Sequence, residues 1–163
     1  MKNCKSVIIT GRICSGKSTL ARIISEKITS SVSISFGQYL ENYCLINSIE
    51  ISKNRKVLQD LGQHFIEENP EKFLVDVVDY FAPTNKNILV FEGVRHKVIF
   101  EAITDRSINC KTIFVEASCE TRYKRYNLRN KDIDSEISFD KFLERDNHRV
   151  ELEIEDMKNM CDL

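Results

Sequence analysis

Nine consecutive residues, Gly11-Arg12-Ile13-Cys14-Ser15-Gly16-Lys17-Ser18-Thr19, restrict what this chain can become more than any other stretch. They keep the G-x-x-x-x-G-K-[S/T] spacing of a phosphate-binding loop, with Gly11, Gly16, Lys17 and Ser18 at its fixed positions. The spacing has a physical basis. Glycines let the backbone curl until successive N–H groups point inward and form a nest for an anionic polyphosphate. A helix that starts there adds the positive end of its dipole. In such a loop Lys17 reaches the β- and γ-phosphates as a point charge, and the Ser18 hydroxyl is placed to ligate Mg²⁺.

The flanks agree with that reading. Val7-Ile8-Ile9-Thr10 is a short β-branched run that predicts a buried strand. Leu20, Ile23, Ile24 and Ile28 then recur at helical spacing. Strand, glycine loop and helix is the order such a loop requires, so residues Gly11–Thr19 are expected to hold a nucleoside triphosphate. Further strands are predicted at Val32–Phe36, ended by Gly37, at Ile88–Phe91 and at Lys111–Val115. Between them fall helical patterns over Tyr39–Ile46, Arg55–Glu67, Pro70 to Phe81 with Asn69 as cap, and a stripe of Val98, Ile99, Ala102 and Ile103. Pro83 and Asn85 close the third of these helices. Beyond them lie Glu120–Leu128, a short helix capped by Ser138, and a last helix from about Val150 to Met160. Strands alternating with helices define an α/β fold, a mainly parallel sheet of about four or five strands with helices on both faces.

Ligands of such sheets bind beyond the carboxyl ends of the strands. The glycine loop, Gly37 and the segment Glu92–Arg95 all belong at those ends, so three loops converge on one cleft. Glu92, after a buried strand, is a candidate Mg²⁺ contact through water beside Ser18. Arg55, Arg95, Arg122, Arg125 and Arg129 are candidate phosphate clamps, because the planar guanidinium holds a phosphate bidentately and keeps its charge. Arg122, Arg125 and Arg129 share one helix face; the alternative to an anion there is a solvated basic face offset by Glu116, Glu120 and Asp132. His96 serves either as a hydrogen-bonding group or as a structural residue at a helix start. The charge run Glu151–Asp156 reads as a solvated helix face.

Composition removes other classes. A chain of 163 residues supports one domain with a real core. Its net charge of −1 supplies no basic footprint for nucleic acid. Six cysteines without Cys/His clustering argue for reduced thiols rather than a zinc site. No run approaches the ~20 apolar residues of a membrane span, and Lys2, Asn3 and Lys5 leave no signal-type apolar region. A cytoplasmic protein, monomeric or homodimeric, is the expectation.

Among phosphate-loop proteins, GTPases need N-K-x-D, and Asn85-Lys86-Asn87 lacks the aspartate. The length also leaves no room for an AAA+ module with a second domain. Instead, several motifs fall in one order: Gly11–Thr19; Ser35-Phe36-Gly37; Arg55 with Leu58-Gln59-Asp60-Leu61-Gly62; Glu92-Gly93-Val94-Arg95-His96; and Glu120-Thr121-Arg122 with Arg125. In this the chain resembles nucleoside monophosphate kinase-like proteins, nearest the deoxynucleoside monophosphate kinases and dephospho-CoA-kinase-like proteins. The resemblance implies ATP and Mg²⁺ on the loop and a small nucleotide acceptor held by Phe36, Gly37, Arg55, Arg95 and Arg129. Catalysis would fall to Lys17, Arg95, Arg122 and Arg125. It also implies a single kinase domain over residues 1–163, with an acceptor-binding helical insert at about 37–82 and a mobile lid at about 122–137. The chain departs from that pattern where Gln38 and Glu41 follow the Phe-Gly pair, where Glu92 replaces an aspartate, and at Cys161-Asp162-Leu163, where relatives begin a last strand.

Overall fold

The computed structural model describes residues 4–50, 55–81, 86–128, 137–147 and 149–163, with positions 55, 56, 149 and 150 described by their backbone alone. Apolar, β-branched runs form four strands, β1 (Lys5–Thr10), β2 (Ser31–Ser35), β3 (Ile88–Glu92) and β4 (Asn109–Phe114). They pair in the order β2-β3-β1-β4. Every pairing is parallel, with Val7 opposite Val90 on one side and Lys111 on the other. Parallel neighbours need crossovers, and helices supply them. These are α1 (Lys17–Lys27), α2 (Phe36–Ile46), α3 (Arg55–Glu68), α4 (Pro70–Phe81) and α5 (Lys97–Arg106). After β4 come α6 (Cys119–Asn127), α7 (Phe139–Asp146) and α8 (Arg149–Asp156).

Alternation along the strands separates two cores. Ile8, Ile34, Leu89 and Phe91 pack against Leu74 and Val77 of α4 and Ile99 and Ile103 of α5. Ile9 and Val90 face the other way, onto Ala21 of α1. Helices therefore cover both faces, as the alternating pattern predicts. A third, smaller cluster joins the glycine loop to the helices that follow β4: Ile13 packs with Tyr126 and Phe142.

Capping residues set several boundaries. Asn69 Oδ1 accepts the Lys72 N–H at 2.9 Å, which starts α4 as expected. Ser118 and Ser138 accept the Thr121 and Lys141 N–H groups and start α6 and α7. The boundary expected at Gly37 is different. Ser35 is an N-cap whose hydroxyl accepts the Gln38 N–H at 3.4 Å, so Phe36 and Gly37 open α2 rather than close β2. Burial of Phe36 between the rings of Phe73 and Phe91 outweighs the weak helix preference of the glycine. The last helix also tightens into a 3₁₀ turn over Met157–Met160. Pro83 and Asn85 lie outside the described residues. Cys161–Leu163 runs along the outer edge of β4: Leu163 donates to the Thr112 carbonyl and accepts the Phe114 N–H at 2.7 Å, the bonding of a parallel neighbour.

Candidate functional site

The loop between β1 and α1 has the backbone its sequence predicts. Gly11, Cys14 and Gly16 take φ of 139°, 57° and 118°. At Gly11 a Cβ would stand 2.3 Å from the Val115 carbonyl oxygen, so only glycine fits. Gly16 caps α1 with no side-chain bond to the first-turn N–H groups. Lys17 Nζ donates to the Arg12 carbonyl at 2.7 Å, folded back over the loop. Thr10 Oγ1 donates to the Val94 carbonyl at 3.1 Å and ties the loop's root to the segment after β3.

A cleft of about 760 Å³ opens at the carboxyl ends of the strands. It brings together most of the predicted residues: Ile13, Cys14, Gly16, Lys17, Ser18 and Thr19 from the loop, Phe36 and Gly37 from α2, Glu92 and Arg95 after β3, and Arg125 from α6. Its far end, below α2 and α3, is apolar through Leu40, Leu58, Ile66 and Phe73, with Gln38, Glu41 and Gln59 adding polar edges. Arg12, Ser15 and Arg122 lie elsewhere, lining a second cleft of about 500 Å³ behind the loop. Arg55 begins α3, with its side chain outside the described residues, as is Arg129 and residues 129–136 of the expected lid.

The arginines are met by acids of the chain itself. Arg122 is 4% exposed and places both terminal nitrogens on Asp146, its Nη2 at 2.8 Å from Oδ2. Arg12 reaches the same Oδ2 at 2.8 Å and Glu155 at 3.1 Å. Arg95 donates to Glu151 Oε1, and Glu151 Oε2 accepts the Ile13 N–H at 3.0 Å. His96 Nδ1 lies 3.0 Å from Glu153. Arg125 donates to the Ser15 and Cys14 carbonyls at 2.8 and 3.3 Å.

Two expectations are thereby corrected. The run Glu151–Asp156 is no solvated face, because Glu151 is 1% exposed and Glu153 and Glu155 pair with His96 and Arg12. Arg122 does not share a free face with Arg125: a buried acid neutralises it, whereas Arg125 turns to loop carbonyls. The electrostatics follow from these contacts. Burial alone would raise the Asp146 pKa, but the bonds and charge of Arg122, with Arg12, bring it below the usual carboxylate range. Glu151 behaves alike: burial pushes up, and the charges of Arg95 and Lys17 with bonds from Arg95 and the Ile13 N–H pull it lower. The bond to Asp146 raises the Arg122 pKa further.

Ser18 and Glu92 face the same cleft with oxygen donors, the chemistry Mg²⁺ prefers. Among the described residues no cluster of three His, Cys, Asp or Glu could hold a metal unaided. An ion there would need nucleotide phosphates and water to complete its shell. None of the six cysteines, all among the described residues, is in a disulfide. No helix among the described residues is long and apolar enough to cross a membrane.

A parallel sheet flanked by helices, with a glycine loop leading from β1 into α1, is the P-loop NTPase fold. The sequence profile of the AAA_18 family, an AAA domain, matches residues 7–157, and the chain belongs to that family. The chain is 27% identical over 164 residues to a UPF0200 protein from Methanococcus vannielii, covering 97% of this chain and 84% of that one. Among solved structures, a chain from "Structure of the Pnkp1/Rnl/Hen1 RNA repair complex" superposes with a TM-score of 0.61 at 14% identity. The superposition covers 99% of this chain and 47% of that chain, about half its length, and is a likeness of fold. Fold and family together support a nucleotide-binding, kinase-type function.

Proposed function

We propose that this chain is an ATP-dependent phosphotransferase acting on a nucleotide-type small molecule, a (deoxy)nucleoside monophosphate or dephospho-CoA. One observation carries the reading. The glycine loop, Glu92, Arg95 and Arg125 share a single cleft of about 760 Å³ that continues into an apolar recess, to which we assign the acceptor.

In this reading Gly11–Thr19 hold the triphosphate, with Lys17 on its outer phosphates. Mg²⁺, held by the phosphates, Ser18 and water near Glu92, supplies charge neutralisation. Phe36 and Gly37 line the acceptor's place, Arg95 holds the acceptor phosphate, and Arg55 and Arg129 assist. Arg125, bonded to the loop carbonyls, keeps its charge beside the transferring group. Arg122 acts on the loop rather than on phosphate, because Asp146 engages it and its Nη1 reaches the Ile13 carbonyl at 3.5 Å. A phosphate acceptor needs no strong base, so position and charge suffice. The chain works as a single domain, monomeric or homodimeric, with an acceptor-binding insert at about 37–82 and a lid at about 122–137 that excludes water on closing. Nucleic acid and membranes are not its partners.

The test is ADP release from Mg·ATP against a panel of nucleoside and deoxynucleoside monophosphates and dephospho-CoA. Stimulation by one acceptor, abolished by Lys17→Met, is the expected result. ATP binding without stimulation by any acceptor would favour a nucleotide-binding sensor instead, a reading supported by Gln38 and Glu41 at the recess. Failure to bind ATP at all would sink both.

A further inference from the structure

One acid that no phosphate-loop motif supplies is bonded to two residues that line the cleft. Glu151 belongs to α8, an element outside every motif of the loop region, yet its carboxylate bonds both Ile13 and Arg95. Both oxygens are engaged there: Oε2 takes the N–H of loop residue Ile13, and Oε1 takes Nη1 of Arg95. The side chain is 1% exposed, so water is not available as a substitute partner. A buried ion pair of this kind adds little net stability over well-packed apolar side chains. What it does add is direction, because Oε1 holds one nitrogen of the planar guanidinium while Oε2 is anchored on the loop.

Arg95 is 20% exposed at its side chain and lines the cleft. Of its five N–H donors, Nη1 alone makes a hydrogen bond among the described residues. The remaining edge of the fork is therefore left for a ligand while Glu151 holds the other. Because the same carboxylate holds the Ile13 N–H, it also sets the distance between the glycine loop and the arginine. In a transfer that depends on alignment, that distance determines whether donor and acceptor phosphates meet.

We infer that Glu151 is a positioning residue: it clamps Arg95 and the apex of the glycine loop in one geometry, and so sets the alignment of acceptor to donor phosphate. The inference rests on the phosphotransferase reading above. Its test uses the full chain carrying Glu151→Gln, which keeps the shape and an acceptor oxygen but removes the charge.

Expected for Glu151→Gln is a kcat lower by about 10- to 100-fold, the scale of a misplaced reacting group. The KM for ATP should stay within about threefold. Arg95→Ala should lose kcat by a similar factor, and the double variant should be no worse than Arg95→Ala alone, since one residue acts through the other. In ¹⁵N spectra the Arg95 side-chain N–H signal should exchange slowly in the native chain and fast in Glu151→Gln; a melting temperature within a few degrees of native excludes general unfolding. Turnover in the native chain together with full-rate Glu151→Gln overturns this inference alone. Multiplying losses in the double variant overturn it too, by making the effect structural. Tighter ATP binding at unchanged kcat in Glu151→Gln overturns it by making the carboxylate a competitor of phosphate. No turnover in the native chain with any acceptor sinks the phosphotransferase reading, and this inference with it.

Discussion

Replacing Asp146 with alanine should destabilise this protein more than the loss of any exposed acid. Its carboxylate is 4% exposed and serves two guanidiniums, Arg122 at 5% and Arg12 at 23% side-chain exposure. Without it, Arg122 keeps hydrogen bonds, among the described residues, to the Ala117 carbonyl at 3.1 Å and the Ile13 carbonyl at 3.5 Å, two neutral acceptors for a buried charge. Removing one partner of a buried pair costs about 3–5 kcal/mol, and Arg12, closer to solvent, adds little to that. For a domain of this size each kcal/mol lowers the melting temperature by about 2–4 °C, so a loss of about 6–20 °C is expected. Urea unfolding at pH 7, followed by circular dichroism, measures it directly. The acid limb provides a second reading. The folded-state pKa of Asp146 is depressed, so its contribution is fully present above the unfolded value near ~3.9 and fades as pH falls below that. Asp146→Ala should lack that component and show a flatter stability profile below about pH 4. Pairing Asp146→Leu with Arg122→Met should restore part of the loss, since an apolar pair leaves no buried charge. A cost under about 1 kcal/mol for Asp146→Ala, at an unchanged denaturant slope, would refute the reasoning.

Three further outcomes follow from local geometry. Gly11→Ala forces a Cβ to 2.3 Å from the Val115 carbonyl at a φ of 139°, so ATP binding should vanish and stability fall by about 3 kcal/mol or more in calorimetry. Phe73→Ala opens a hole beside the rings of Phe36, Tyr39 and Phe65 and should cost about 3–5 kcal/mol in denaturant titration. Asn69→Ala removes the acceptor for the Lys72 N–H at the start of α4 and should cost about 1 kcal/mol, with Asn69→Ser recovering most of it.

Strong local signals were legible in the sequence. The glycine loop needs three positive-φ positions, and the chain spends two glycines and Cys14 on them. The run Ile88–Phe91 is apolar without interruption because β3 lies between β2 and β1 and is covered on both faces. Ser138 and Asn69 are caps that sequence spacing alone places, whereas the Ser118 cap of α6 was read only from the structure. Ser35 was less obvious, since a serine inside an alternating run reads as strand until Phe36 is known to be buried. Charge pairing was the least legible. Whether Arg122 meets phosphate, water or Asp146 depends on how α6 and α7 pack, a contact across 24 positions that no local pattern encodes. Glu151 did leave a trace. Three-residue steps from it reach Ile154 and Met157, both buried, whereas its neighbour Leu152 is 49% exposed. The helix thus turns an acid inward and a leucine outward, an inversion that marks an acid facing buried cations.

That inversion bears on how a cationic site is kept folded without its ligand. Lys17, Arg95, Arg122 and Arg125 crowd one end of the sheet with α1's positive pole, and their mutual repulsion opposes the fold. Asp146 and Glu151, on α7 and α8, answer the two arginines that lie deepest, while Arg125 and Lys17 are held by carbonyls of the loop itself. The two kinds of partner differ in what they permit. A carbonyl is a neutral dipole, so a cation leaves it for a phosphate at small cost; a buried carboxylate holds its partner through any such exchange. In the proposed phosphotransferase, Lys17 and Arg125 are the charges that exchange a loop carbonyl for phosphate, and Arg95 and Arg122 the ones that fix the frame around it.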